Sequence, residues 1–177
     1  MRGSLARAAL AATLLLPAPA GAAELSKPLQ PLAPIVGRTW RSVFPDSTPA
    51  KPVVDVSRFE LALNGQAVRN LHSINEGEYG GETLIVWDQV KQKVVYYYFT
   101  TAGFYTSGTM SFEDGAIVSR EVVTGKADGV TEVAATSRLL PDGRLSVKAR
   151  MLKNGQWVDG RERIYAEDSK AVVRFKD

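Results

Sequence analysis

The chain has 177 residues, one histidine, no cysteine and a formal net charge of +3. This length fits one domain, because a second hydrophobic core would be hard to fill. The missing cysteine excludes disulfides, thiolate metal sites, cysteine nucleophiles and lipid attachment at cysteine, and a single histidine excludes any site that needs two.

Residues 1–23 have the features of a secretory signal peptide. Arg2 and Arg7 give a positively charged start, and the apolar run at 8–16 is too short to cross a bilayer as a helix. Ala20-Gly21-Ala22 provides small residues for cleavage. We therefore expect cleavage near residues 22–23 and a periplasmic or secreted mature protein.

Removing the signal peptide changes what the charge implies about partners. The loss of Arg2 and Arg7 lowers the formal net charge from +3 to about +1. The remaining basic residues are scattered, so we expect no nucleic-acid partner. No later stretch is apolar enough to predict a transmembrane segment.

The segment 24–36 is rich in proline, with Pro28, Pro31 and Pro34. Proline at this density disfavours a long helix, so a single helical turn around 29–35 is expected. The prediction for domain organisation is a signal peptide at 1–23, this N-terminal segment at 24–36 and one β-barrel domain at 37–177.

From Gly37 onward, Asx-Gly and Gly-Gly turn signals separate runs of about ten residues that are rich in Val, Tyr, Thr, Phe and Ile. This pattern predicts consecutive antiparallel hairpins. Because so many strands in one open sheet would expose their edges, we predict an all-β fold, a closed up-and-down meander barrel of about ten strands. The candidate strands are 38–44, 53–63, 66–75, 82–88, 93–101, 104–113, 116–124, 130–140, 144–153, 156–166 and 171–176.

Two Asn-Gly turns predict strand registers and therefore which side chains face the barrel interior. A two-residue turn at Asn64-Gly65 pairs Glu60 with Arg69 on the solvent face. The turn at Asn154-Gly155 pairs Arg150 with Asp159 in the same way. The inward faces then include polar residues, which indicates mutual hydrogen bonding or a wet cavity of ligand size. These inward residues are Ser57, Phe59, Leu61, Val68, Asn70 and His72 in the first hairpin, and Leu145, Val147, Ala149, Met151, Val158, Gly160, Glu162 and Ile164 in the second.

Alternation leaves the interior face of residues 93–99 open. Val94, Tyr96 and Tyr98 form one face, and Val95, Tyr97 and Phe99 form the other. The outer set would be an exposed aromatic ridge for a partner, or the N-terminal segment would cover it. In the next strand, Phe104, Thr106, Gly108, Met110 and Phe112 are predicted to face inward.

Gly37-Arg38-Thr39-Trp40, which opens the first strand, resembles the Gly-x-Trp signature of lipocalins and other calycins, with one additional residue. The segments 71–83 and 99–104 resemble a group of uncharacterised bacterial secreted proteins with lipocalin-like barrels. The resemblance implies a barrel fold and no established activity. It also implies that Trp40 packs beneath an arginine of the last strand, with Arg174 as the candidate and Arg163 as the second choice.

These observations favour a non-catalytic protein that binds a small apolar or amphipathic molecule in the barrel lumen. The alternatives are an interaction module with a filled barrel and an aromatic contact surface, or a small hydrolase or isomerase that uses His72. No metal or other cofactor is expected, with haem ligation by His72 as the alternative. The predicted ligand-binding residues are His72, Asn70, Phe59, Ser57, Glu162, Phe104, Met110 and Phe112; Gly37, Trp40 and Arg174 are predicted to be structural.

Overall fold

The computed structural model describes residues 24–176, which form a closed antiparallel β-barrel with neighbouring strands connected up and down. The predicted signal peptide at 1–23 lies outside the described residues. Eleven strands occupy ten positions around the ring, because β10 and β11 together form one interrupted strand beside β9. The strands are β1 (Thr39–Val43), β2 (Val54–Ala62), β3 (Ala67–Ile74), β4 (Tyr79–Asp88), β5 (Lys93–Thr100), β6 (Tyr105–Glu113), β7 (Ala116–Thr124), β8 (Val130–Leu139), β9 (Leu145–Lys153), β10 (Gln156–Asp159) and β11 (Arg163–Glu167).

The barrel closes through two pairings that are distant in the sequence. β1 pairs with β11, and the same β11 pairs with the start of β9, which also pairs with β8. Every other neighbour is the next strand in the chain. The predicted all-β meander barrel is therefore confirmed, including its ten strand positions.

The two predicted hairpin registers are confirmed in the turns that define them. Glu60 pairs with Arg69 across β2 and β3, and Arg150 pairs with Asp159 across β9 and β10. Arg150 lies over the ring of Trp157, at 4.5 Å from the ring centroid. The charged residues of both hairpins consequently lie on the outer surface, and their neighbours in sequence face the lumen.

The region after β10 departs from the predicted single strand at 156–166. Gly160 still donates its N–H to the carbonyl of Ala149, but Arg163 rather than Glu162 pairs with Val147. One additional residue between these two points reverses the side-chain faces that follow. Arg163 and Tyr165 therefore share the inward face with Val147 and Leu145.

The prediction of a last strand at 171–176 is wrong. Residues 171–176 have no strand pairing and lie along the outer face of the β3–β4 hairpin. The backbone N–H of Arg174 donates to Ser73 Oγ at 3.1 Å, and the ring of Phe175 packs beside Gly80. A run of alternating apolar residues was available, but the sheet edge beside β1 was already paired with β11.

The N-terminal segment closes one end of the barrel. A 3-10 turn spans Lys27–Leu32, and its Leu29 and Leu32 are essentially inaccessible to solvent. The side chains of Leu29, Leu32 and Ile35 join a core that contains inward residues of six strands. This segment, which we call the N-terminal plug, therefore fills the base of the lumen. Of the two alternatives for the outer aromatic ridge, coverage by this segment is not the one that the structure adopts. This core, which we call the base core, consists of Leu29, Leu32, Ile35, Trp40, Val68, Ile85, Val94, Tyr96, Leu145 and Tyr165.

Gly37 links this plug to β1, as its predicted structural role requires. Its φ of +78° is a backbone conformation that other residues adopt at a cost, and its N–H donates to the carbonyl of Phe59. Two further 3-10 turns, Leu63–Gly65 and Asn75–Gly77, connect β2 to β3 and β3 to β4. Within residues 24–176, no helix is long and apolar enough to span a membrane.

Candidate functional site

The lumen contains a cavity of about 690 Å³ above the plugged base. It extends from Ile85 and Met110, which border the base core, to Asp128 in the turn between β7 and β8. This volume lies within the range of small-molecule sites in proteins, ~300–1,000 Å³. The side chains around it divide into two walls of different chemistry.

One wall, on β7 to β10, is lined with small residues. Ser119, Ala135 and Ala149 are paired in register across β7, β8 and β9, and Gly160 continues the row. Short side chains standing side by side leave the space that larger residues would fill. This row, which we call the small-residue wall, keeps the lumen open.

The facing wall, on β3 to β7, carries hydroxyl, imidazole and carboxyl groups. In the interior face of β5, Tyr96 and Tyr98 point into the barrel, whereas Tyr97 and Phe99 are about half exposed on the outside. The face that alternation left open is therefore decided in favour of Val94, Tyr96 and Tyr98. The phenol rings of Tyr96 and Tyr98 make this wall both polar and bulky.

A hydrogen-bonded chain of side chains runs through the polar wall. Tyr165 donates its hydroxyl to Asp55 Oδ2 at 2.8 Å, and Asp55 Oδ1 lies 3.1 Å from His72 Nδ1. His72 Nε2 lies 2.7 Å from the hydroxyl of Tyr98, which is 3.0 Å from that of Tyr79. We call Asp55, His72, Tyr98 and Tyr79 the lumen relay, since each member is in hydrogen-bond contact with the next.

Burial differs along the lumen relay. The Asp55 side chain is 6% exposed and that of His72 is 17% exposed. Burial raises the pKa of Tyr79 and, more strongly, that of Tyr98. Both phenols therefore keep their protons over the ordinary pH range and act as hydrogen-bonding groups, not as anions. His72 and both phenols line the cavity.

Glu121 is the other carboxyl group of the polar wall. It lies directly opposite Gly108 across β6 and β7, where an added Cβ on Gly108 would lie 2.8 Å from the Glu121 Cβ. Thr106 donates its hydroxyl to Glu121 Oε2 at 2.7 Å. Burial raises the pKa of Glu121, and the hydrogen bonds from Thr106 and Tyr96 offset part of that effect.

The structure brings most of the predicted ligand-binding residues to the cavity or its edge. Phe59, Asn70, His72, Phe104 and Met110 line it directly. Ser57 lies behind the wall and accepts a hydrogen bond from Asn70 Nδ2 at 2.7 Å. Phe112 packs against the base core instead of lining the cavity.

Glu162 is not in the lumen, so the prediction of its inward position is wrong. Its carboxylate accepts a short hydrogen bond from Ser146 Oγ and lies 3.6 Å from Lys148 Nζ on the outer surface. The cause is the additional residue after Gly160, which the sequence pattern does not reveal. His72, which the sequence pattern predicted to face inward, contacts Asp55 and Tyr98 and not Glu162.

The arginine contact that the calycin resemblance implied for Trp40 is not formed in the described part of the chain. Trp40 is completely buried, and its indole N–H donates to the carbonyl of Ile35 at 3.3 Å. Arg174 lies on the outer face near Ser73, and Arg163 stacks over the ring of Phe44 at 4.0 Å. The N-terminal plug takes the place beneath Trp40, so the predicted structural role of Arg174 is wrong.

Sequence reasoning missed Asp55, Tyr79, Tyr98 and Glu121 as site residues. The signal for Asp55 was present, because it alternates with the inward residues Ser57 and Phe59 of the same predicted strand. The position of Tyr98 depended on which face of β5 is inside. In residues 24–176, no group of three or more His, Cys, Asp or Glu side chains is arranged to hold a metal ion.

Compared with models of known protein families and with curated proteins, the chain matches none of them. What the chain does is therefore inferred from the chemistry of its own lumen, in a closed antiparallel β-barrel of ten strand positions.

Proposed function

We propose that this protein binds a small, partly apolar molecule in the barrel lumen without transforming it. The observation that carries the proposal is a cavity of about 690 Å³ with apolar side chains on one side and the lumen relay on the other. Apolar walls provide burial, and a few polar groups fix the orientation of the ligand. His72 and Asn70 lie at the polar side of this space.

We further propose that the barrel is of lipocalin-like type and that the chain is exported to the periplasm or outside the cell. The likeness rests on Gly37 and Trp40 at the start of β1, the short turn before it and the meander of hairpins that follows. Export rests on the features of residues 1–23, and cleavage is expected near 22–23.

Filling the lumen provides the test. Ala135 and Thr136 are neighbours in β8, but Ala135 lines the cavity and Thr136 is exposed on the outer face. Ala135→Phe should weaken binding of the uncharged fluorescent probe N-phenyl-1-naphthylamine at least tenfold, because the phenyl ring occupies the space of the probe. Thr136→Phe adds the same ring outside and should change the affinity less than twofold.

Equal effects of the two variants would contradict binding in the lumen, as would a wild-type protein that does not bind the probe. Native mass spectrometry of the purified protein complements the titration, since a tightly bound ligand would add its mass to the folded chain. Thermal unfolding of both variants shows whether the barrel has remained intact.

One observation favours a second candidate function, an interaction surface on the outside of the barrel. The rings of Phe99 and Tyr105 stack at a centroid distance of 5.9 Å, and these residues are 53% and 39% exposed.

A third candidate function, that of a hydrolase or isomerase, is favoured by the contact of Asp55 with His72, which orients an imidazole as in general acid–base sites. Loss of a turnover in His72→Ala would identify it.

A further inference from the structure

The direction of the hydrogen bonds in the lumen relay depends on the number of protons held by the Asp55–His72 pair. When that pair holds one proton between them, it lies on His72 Nδ1, facing the carboxylate. His72 Nε2 is then an acceptor, and its contact with Tyr98 at 2.7 Å requires the phenol to donate. Tyr98 has no second proton, so Tyr79 must donate to it across 3.0 Å. Tyr79 then offers only lone pairs to the cavity.

One additional proton on the pair reverses both phenolic hydrogen bonds. His72 Nε2 now carries a proton and donates to the oxygen of Tyr98. Tyr98 in turn donates to Tyr79, and the O–H of Tyr79 becomes free to point into the cavity. The end of the relay therefore changes from a hydrogen-bond acceptor to a donor.

The additional proton would give the buried Asp55 carboxylate a cationic partner. Asp55 is buried, and in the described part of the chain its one ion-pair contact is with His72. A buried carboxylate is costly unless a cation or a proton accompanies it. The hydroxyl of Tyr165 supplies a second hydrogen bond to Asp55 but no charge.

The other charged groups near the relay act on it from several strands. Glu121 of β7 contributes to the raised pKa values of Tyr98 and Tyr79. Arg163 of β11 lies beside Tyr165 and partly offsets the rise in the pKa of that phenol. Lys153 and Arg161 line the cavity at its far end, where Arg161 is paired with Asp46 at 2.8 Å. Asp128 lines the same end of the cavity, so charges of both signs lie there.

We infer that the ligand of the lumen carries a hydrogen-bond-accepting oxygen, such as a ketone or a quinone carbonyl, which accepts from Tyr79, and that it binds together with a proton on the Asp55–His72 pair. This inference rests on the proposed binding function and adds the chemical class of the polar group and its coupling to pH. The same small-residue wall that keeps the lumen open would hold the apolar part of such a molecule.

Two probes of nearly equal shape separate the polar contact from simple burial. 2-Acetylnaphthalene carries a carbonyl oxygen, and 2-isopropenylnaphthalene replaces it with a methylene group. We expect the ketone to bind wild-type protein about tenfold more tightly than the alkene at pH 6. Tyr79→Phe should reduce this preference to less than twofold, while Tyr97→Phe, on the outer face of β5, should leave it unchanged.

The coupling to protons predicts the sign of the pH dependence. Since the ketone requires the additional proton, its affinity should fall as the pH rises from 6 to 9, while that of the alkene stays constant. His72→Gln and Tyr98→Phe should flatten the ketone profile. Because His72 is the only histidine of the chain, side-chain nitrogen spectra of a tag-free sample report directly whether the ketone increases protonation of its imidazole.

The possible outcomes distinguish this inference from the proposed function. Equal affinities for ketone and alkene, or a ketone preference that persists in Tyr79→Phe, would overturn the inference while leaving lumen binding in place. Failure of both probes to bind would overturn both. The Tyr79→Phe variant must remain folded, which its thermal unfolding verifies. If it is unstable, the flattened pH profile expected for ketone binding by Tyr98→Phe provides the second test.

Discussion

Among individual residues, Glu121 shows how a side chain can be positioned by the absence of another. It faces the lumen at the point where Gly108 leaves room in the adjacent strand. A carboxylate removed from water is disfavoured, and burial accordingly raises the pKa of Glu121. Such a group makes the stability of the barrel depend on pH.

The variant Glu121→Gln tests this dependence. Because the folded state holds the carboxyl proton more strongly than the unfolded chain, the wild type loses stability as the pH rises through the ionisation of Glu121. The amide carries no charge and can still accept from Thr106. Relative to wild type, the variant should therefore be more stable at pH 8 than at pH 4. Urea denaturation at the two pH values measures this as a larger free energy of unfolding, relative to wild type, at pH 8.

Ser119→Ala provides the matched control for this experiment, since it changes a neighbouring lumen residue without a titratable group. Its effect relative to wild type should be the same at both pH values. A Glu121→Gln variant that is equally shifted at pH 4 and pH 8 would contradict a buried, disfavoured carboxylate.

Among the elements, the N-terminal 3-10 turn has the largest structural effect for its length. Prolines at 28 and 31 limit it to a short turn, and Leu29 and Leu32 project from it into the base core. Ser26 anchors it by donating its N–H to the carbonyl of Gly65 at 2.9 Å. The turn thereby supplies the floor on which the cavity rests.

We expect Leu32→Ala to reduce the free energy of unfolding by about 2–5 kcal/mol, because Leu32 is 1% exposed and the vacated space borders Trp40. Chemical denaturation followed by tryptophan fluorescence measures the loss. Val90→Ala is the control, since Val90 is 94% exposed and its truncation should change stability by less than about 0.5 kcal/mol. A loss in Leu32→Ala as small as in the control would show that the turn does not plug the barrel.

For the whole molecule, stability depends on closure of the ring. β8 and β9 pair over their full length, and β9 reaches β1 only through β11. Every strand except the short β10 therefore has neighbours on both sides, and no long edge is left free in residues 24–176. Opening any one interior ladder would expose the lumen and remove support from the base core.

A proline in the middle of β8 should disrupt the entire barrel. Thr136 pairs with Val118 and Lys148, and its side chain faces outward, so Thr136→Pro changes the backbone without altering the lumen. Proline in the middle of a sheet removes a ladder hydrogen bond, so the variant should be strongly destabilised. Hydrogen exchange should show protection falling in all strands together, whereas Thr136→Val should retain it; a loss confined to β8 and its neighbours would contradict a single cooperative ring.

The sequence by itself determined the meander, the number of strand positions and the registers of the two Asn-Gly hairpins. These features follow from local chemistry, since turn residues set the hairpins and alternation sets which residues share a face. The inward positions of Asn70 and His72 followed from the same local rules.

Only the tertiary structure decided features that require distant segments to meet. The additional residue after Gly160 moved Glu162 outward and Arg163 inward, because β11 had to pair with both β9 and β1. The N-terminal turn packs at the base of the lumen and not on the outer ridge, and Tyr98 lies inward beside His72. The contact of His72 with Asp55 and Tyr98 joins β2, β3 and β5, and it forms only when these strands come together in the curved sheet.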